Sequence, residues 1–288
     1  MTIFFPLLYL IMGWFIGKTT LDIKTVASWW LTKVIIPFVI VFNIATHFNA
    51  MGTVIIATAI SMLIMLYIGR RMTNDPVMNL CFSYLNIGWL GLPVASALFG
   101  NGAALIVVAA YVGSSIVGNS VGAGLLSGNG FNLSKIVRTP PVLALLAGIL
   151  LIPFSQQIAQ ACDEMYAAAK FLMSFLGMAI LGIWLAKSKI NAADFRLEVA
   201  PFIQRSGVLF LLISLLLLLA RLCHQSLITD NAATLYLFCL LPPAANIIVL
   251  ETHYLGSGRS ARAISCGTCI SIIAIALYAF VIMASRLI

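Results

Sequence analysis

Two short stretches hold residues that an ordinary membrane helix would not carry. They are Tyr84-Leu85-Asn86-Ile87-Gly88-Trp89-Leu90-Gly91-Leu92-Pro93 and Leu241-Pro242-Pro243-Ala244-Ala245-Asn246. Each lies inside an apolar run long enough to cross a bilayer. Proline removes a backbone donor and clashes one turn back, and glycine offers no rotamer resistance, so both helices are expected to break here. Freed peptide groups cannot face lipid and are tolerated only against protein or a polar cavity. Where two such breaks meet near the midplane, half-helix N-termini present free N–H groups and about half a positive charge each, a ready anion site. Pro243 is placed to open the second half of the later helix. Asn86 and Asn246 flank the breaks and can offer amides to a bound carboxylate; the plainer use of both is to cap broken helix ends.

The candidate substrate-binding set is therefore Asn86, Gly88, Gly91, Pro93, Pro242, Pro243 and Asn246, extended by Asn43 and Asn119. Asn43 follows Pro37 by six residues, and Asn119 sits in Gly118-Asn119-Ser120. Either can face a cavity or make an interhelical hydrogen bond. Trp89 is expected to pack beside the break. Lys170 falls within an apolar run and is a secondary candidate, because an intramembrane cation has a functional reading by default; its stem also allows it to reach water. Glu251 is expected to be solvated at a span end, and no acidic residue falls at the centre of any span. His47, His224 and His253 share no spacing, and no zinc-protease, nucleophile-elbow or phosphate-loop motif is present. Cys266-Gly-Thr-Cys269 lacks a second pair or a histidine partner, so it reads as small packing residues. The expectation is no enzyme, no metal and no cofactor.

Of the 288 residues, 62% are hydrophobic and 8% are charged. A soluble domain carries roughly a quarter charged residues, so the chain belongs in a lipid bilayer. Ten apolar segments approach the length of a span, at 2–17, 26–46, 51–69, 77–99, 103–123, 140–154, 165–186, 203–222, 232–252 and 263–284. The first reads as a span rather than a cleaved leader, having no basic residue before it. The net charge of +8 lies in short connections and resembles no nucleic-acid face. With the N-terminus outside, the inner side holds Lys18, Lys24, Arg70, Arg71, Lys135, Arg138, Lys187, Lys189, Arg196, Arg205, Arg259 and Arg262, and the outer side only Arg221 and Arg286. That asymmetry predicts a multi-pass protein of the cell (inner) membrane with both termini outside.

Five spans per half make any repeat inverted, with the broken spans fourth in each half. Each is followed by a glycine-containing turn, Phe99-Gly100-Asn101-Gly102 and Leu255-Gly256-Ser257-Gly258. The expected organisation is a first repeat at 1–123, a short cytoplasmic linker at 124–139 and a second, inverted repeat at 140–288.

The ordered set of motifs resembles the auxin efflux carrier family of secondary transporters. The likeness rests on Asn86-x-Gly88-x-x-Gly91-x-Pro93, Thr139-Pro140-Pro141 followed by Leu146-Ala147-Gly148-Ile149, Leu181-Gly182-Ile183-Trp184-Leu185-Ala186, and Leu240-Leu241-Pro242-Pro243-Ala244. The resemblance implies an all-α membrane fold of ten helices related to sodium/proton antiporters and bile-acid symporters, with crossed helices four and nine. It implies organic-anion substrates, such as malate, malonate or indole acetate, and a homodimer. The chain lacks the long central loop of plant members, which favours a compact prokaryotic-type carrier, and it has no proline after Pro243 where relatives often carry one in the last span.

The expected function is export or exchange of small organic anions by alternating access. A sodium- or proton-coupled symporter on the same fold, and a membrane receptor that binds without transporting, are the alternatives.

Overall fold

The computed structural model describes residues 5–19, 23–127, 138, 140–187 and 191–285. In chain order the helices are α1 (Phe5–Gly17), α2 (Ile23–Trp30), α3 (Ile36–Met72), α4 (Pro76–Ser83), α5 (Leu92–Phe99), α6 (Asn101–Val117) and α7 (Ala123–Ser127). They continue with α8 (Pro140–Leu151), α9 (Ser155–Lys187), α10 (Ala192–Leu222), α11 (Ser226–Asp230), α12 (Ala232–Leu237), α13 (Asn246–Leu255) and α14 (Ser260–Ser285). Among the described residues no strand forms, and the protein is an all-helical membrane protein. Six helical stretches are long and apolar enough to cross a bilayer: Thr25–Phe48, Met51–Met72, Gly102–Ser127, Val142–Lys187, Ala192–Leu222 and Ser260–Ala284. Phe5–Gly17 and Ile87–Phe99 are shorter apolar helices. Leu150 and Phe280 are 76% and 72% exposed, an apolar exterior that suits hydrocarbon rather than water.

The punctuation of these helices follows from single residues. Pro37 cannot donate one turn back, and the helix widens into a π turn over Leu31–Ile35 before α3 begins. Within α3 the chain kinks at His47 (φ −134°, ψ 24°), which separates the expected spans 26–46 and 51–69 without a loop. Pro76 and Pro140 both open helices, where a missing donor costs little. Both glycine turns form as expected, with Gly100 at φ 81° and Gly256 at φ 64°, values that side chains with a Cβ resist.

Three expectations about boundaries are corrected. Spans 140–154 and 165–186 are not separated by a loop: a 3₁₀ turn at Ile152–Phe154 leads directly into α9, 33 residues long. At about 50 Å this helix exceeds the hydrocarbon core, and its first turns carry the polar residues Gln156, Gln157, Gln160, Asp163 and Glu164. The linker at 124–139 begins as helix, since α7 runs to Ser127; residues 128–137 and 139 lie outside the described residues. Helix α10 starts well before residue 203, because Asn191 and Asp194 form a reciprocal capping box (2.9 and 3.1 Å).

Helix α1 packs along α9, and α3 packs on α6 and α8. At the first of these seams Gly13 and Gly17 meet Ala179, Ile183 and Ala186 so closely that a Cβ on either glycine would overlap them. Small residues spaced by four let membrane helices reach van der Waals contact without a hydrophobic drive.

Candidate functional site

The two stretches singled out by composition meet. Helix α4 ends at Ser83, and Tyr84 turns extended (φ −100°, ψ 111°). The later helix passes from α12 through a 3₁₀ turn at Phe238–Leu240 into an extended Leu241 (φ −74°, ψ 145°). Leu85 and Pro243 then pair as an antiparallel bridge. Asn86 N donates to the Pro242 carbonyl at 2.9 Å, and Ala244 N donates to the Tyr84 carbonyl at 2.8 Å. Each break thus satisfies backbone groups that the other has freed, which is how irregular backbone survives away from water. Pro242 and Pro243 lower the demand further, having no N–H to satisfy.

Beyond the bridge the first helix restarts as a π turn at Ile87–Gly91 leading into α5. Pro93 removes the donor to the Trp89 carbonyl, which accounts for the widened turn. Asn86 caps this restart: its Oδ1 accepts from Trp89 N at 3.3 Å. Its Nδ2 is buried without a hydrogen-bond partner. Gly88 lies against the Tyr111 ring and Gly91 against the Leu241 side chain, so both glycines keep the crossing closely packed. Pro243 does not open the second half-helix, contrary to expectation. It belongs to the bridge, and α13 begins at Asn246, because pairing with Leu85 holds the prolines extended.

Asn246 and Asn119 are brought together. Asn246 Nδ2 donates to Asn119 Oδ1 at 3.0 Å, and Asn119 Nδ2 donates to the Ser115 carbonyl at 2.8 Å. Asn119 lies in a π turn at Gly118–Gly122, and the buried Tyr84 ring sits against Gly118 with its hydroxyl turned toward Ser115, Asn119 and Asn246. The Ser115 hydroxyl is buried beside them. On another side of the crossing lies a cavity of about 50 Å³ whose lining includes Thr58, Ser61, Ser83, Ser114, Leu209 and Phe238.

Asn43 and Lys170 lie at a different seam. Asn43 is fully buried, donates to the Val39 carbonyl at 2.7 Å and accepts from the Tyr166 hydroxyl at 3.2 Å, tying α3 to α9. Lys170 places its Nζ 5.6 Å from the centroid of the Tyr166 ring. Trp89 packs its backbone against Gly177.

Two charged residues were misread from sequence. Glu251 is not solvated: it is completely buried, and its carboxylate accepts from Ser257 Oγ (2.6 Å), Arg259 N (2.7 Å) and Ser260 N (2.8 Å). Arg205, counted among the basic residues of an inner connection, is 1% exposed. Its Nη1 donates to the Cys81 carbonyl at 3.2 Å, at the end of α4, while its Nε and Nη2 have no partner. The adjacent Ser206 donates to the Cys239 carbonyl at 2.6 Å, in the turn that ends α12. One face of α10 therefore tends the carbonyl ends of both broken helices. The signal was present in the sequence: once the capping box starts the helix at Asn191, Arg205 falls in register with Leu209, Ile213 and Leu217, all buried.

Among the described residues no group of three or more histidine, cysteine or acidic side chains is arranged to hold a metal ion. Cys266 is buried and Cys269 half-buried, both as free thiols. No protein-family model matches the chain, and no curated protein is significantly similar to it.

Proposed function

We propose that the chain is a secondary transporter of small organic anions, working by alternating access and related to the auxin efflux carriers. On this reading it has ten membrane helices in two inverted five-helix repeats, with α4–α5 and α12–α13 as the fourth and ninth spans. Asn86, Asn119 and Asn246 contact substrate at the crossing, and Gly88, Gly91, Pro93, Pro242 and Pro243 shape the backbone around them. The protein sits in the inner membrane with both termini outside.

The observation that carries the reading is the antiparallel pairing of two broken helices around Leu85 and Pro243, with a buried Asn86 amide left unspent beside it. Interrupted helices meeting between repeats are where transporters of this kind place their substrate. An inside-negative potential favours outward movement of each negative charge by about 2.3 kcal/mol per 100 mV, so export needs no coupled ion.

Counterflow in proteoliposomes tests the proposal: one anion is preloaded and labelled malate, malonate, oxalate or indole acetate is followed, with and without sodium. Saturable exchange that is lost in Asn86→Ala is the expected result. Exchange only in sodium or under a proton gradient makes the protein a coupled symporter, and binding with no flux makes it a receptor.

A further inference from the structure

We infer that Arg205 is the residue that anchors the substrate's carboxylate; this rests on the transport reading above and names the charged group of that site.

The guanidinium is buried, and among the described residues no carboxylate lies within ion-pair distance of it. Glu198, two turns earlier on α10, acts on it only through space. The Phe202 ring lies 5.3 Å from the guanidinium carbon. A buried charge lacking a carboxylate is costly, and its single hydrogen bond, to the Cys81 carbonyl, offsets only part of that cost. The pattern of satisfied and unsatisfied donors then points to a ligand. Nη1 is spent on the Cys81 carbonyl, which fixes the plane of the group. The two nitrogens left over, Nε and Nη2, are the pair whose N–H bonds lie parallel on one edge of a guanidinium. That edge matches the two oxygens of a carboxylate, with two parallel N–H···O bonds.

The surroundings suit the same ligand. Leu209, one turn along α10, and Ser83, two residues after Cys81, both line the cavity beside the crossing, which begins about one helical turn from the guanidinium and is not lined by Arg205 itself. At about 50 Å³ it has room for a few waters or for one carboxylate group. Its lining carries the hydroxyls of Ser61, Ser83 and Ser114, of which Ser83 and Ser114 already donate to backbone carbonyls, and the apolar side chains of Leu209, Ile213 and Phe238, which suit a short carbon chain. Charge also favours an anion. The carbonyl ends of α4 and of the turn after α12 carry negative partial charge that would otherwise draw a cation; Arg205 and Ser206 already occupy them. The positive charge of Arg205 is left for the substrate.

The test pairs Arg205→Met with Arg205→Lys and reads two quantities on each purified protein: the thermal shift produced by acetate, malonate, malate or indole acetate, and counterflow of the same acids. The expected result is a wild type stabilised by at least one acid, and an Arg205→Met protein as heat-stable as wild type without ligand. That variant should lose the ligand shift and at least about 10-fold in apparent affinity, the worth of a charge-assisted pair. Arg205→Lys, which keeps charge without the fork, should fall between them. Arg205→Met that keeps the wild-type shift and apparent affinity overturns the assignment, as does a drop in unliganded melting temperature with affinity unchanged. A wild type stabilised by no carboxylate also overturns it. A ligand shift that depends on Arg205 but brings no flux leaves the anchor standing and removes the transport reading instead.

Discussion

Two of the regions that join the N-terminal part of the chain to the C-terminal part treat polar groups in opposite ways. At the crossing the main chains pair through Leu85 and Pro243, yet the Asn86 amide and one edge of Arg205 remain without partners. At the other, Arg259 grips Asp75 through two contacts, 2.8 and 3.3 Å, while Glu251 takes three donors and lies 3.8 Å from Arg259 Nε. Asp75 also caps α4 by accepting from Val77 N, and Glu251 holds the start of α14. The second cluster is charged and its buried carboxylate is satisfied; the first contains no acid and leaves donors open. A satisfied buried network rigidifies, and an unsatisfied one is costly unless a ligand completes it. The clamp therefore reads as structure, and the crossing keeps open donors for the ligand proposed above.

That contrast can be broken most directly at Glu251. Replacing it by alanine strands the buried Ser260 amide and frees the partly buried Arg259 amide, and should cost about 3 kcal/mol. A thermal melt in detergent should show a loss of several degrees, while the apparent affinity of the folded fraction stays at the wild-type value. Asn86→Ala should do the reverse. It removes one cap and one unpaired amide, so stability should change by no more than about 1 kcal/mol, whereas exchange affinity should fall about 10-fold in the counterflow assay. Asn43 lies at neither region. Asn43→Ala breaks its bond to Tyr166 and should lower stability by about 1 kcal/mol without changing the apparent affinity; an affinity change comparable to that of Asn86→Ala would erase the distinction between seam and site. The smallest effect is expected from the Asp75–Arg259 pair. Arg259 is 55% exposed at its side chain, so a double-mutant cycle read by thermal stability should give a coupling of at most about 1 kcal/mol.

Much of the site was legible because its rules are local. Asn86, Gly88, Gly91 and Pro93 stand out within an apolar run by type alone, and so do Pro242 and Pro243. Asn246 and Asn119 were legible only as candidates, since their mutual bond joins distant parts of the chain. Asn43 and Asn119 look alike in the sequence, each a lone amide in an apolar helix; one ties α3 to α9 and the other reaches the crossing. Arg205 was misplaced because a basic residue near a span end satisfies the same count whether it is solvated or buried. Glu251 was misplaced because its partners come from the turn after Gly256 and from the start of α14, which fold back onto it.

The amino-acid sequence by itself determined the bilayer as solvent, the helical class and the points where two helices must break. Each follows from composition or from one residue's covalent chemistry: too few charges to be solvated, or a proline without an N–H. Tertiary structure alone decided that the two breaks pair with each other, that Pro243 stays extended while α13 waits until Asn246, and that a single face of α10 attends both carbonyl ends. Those outcomes depend on which freed donor finds which freed acceptor across a long stretch of chain, and no local propensity encodes that choice.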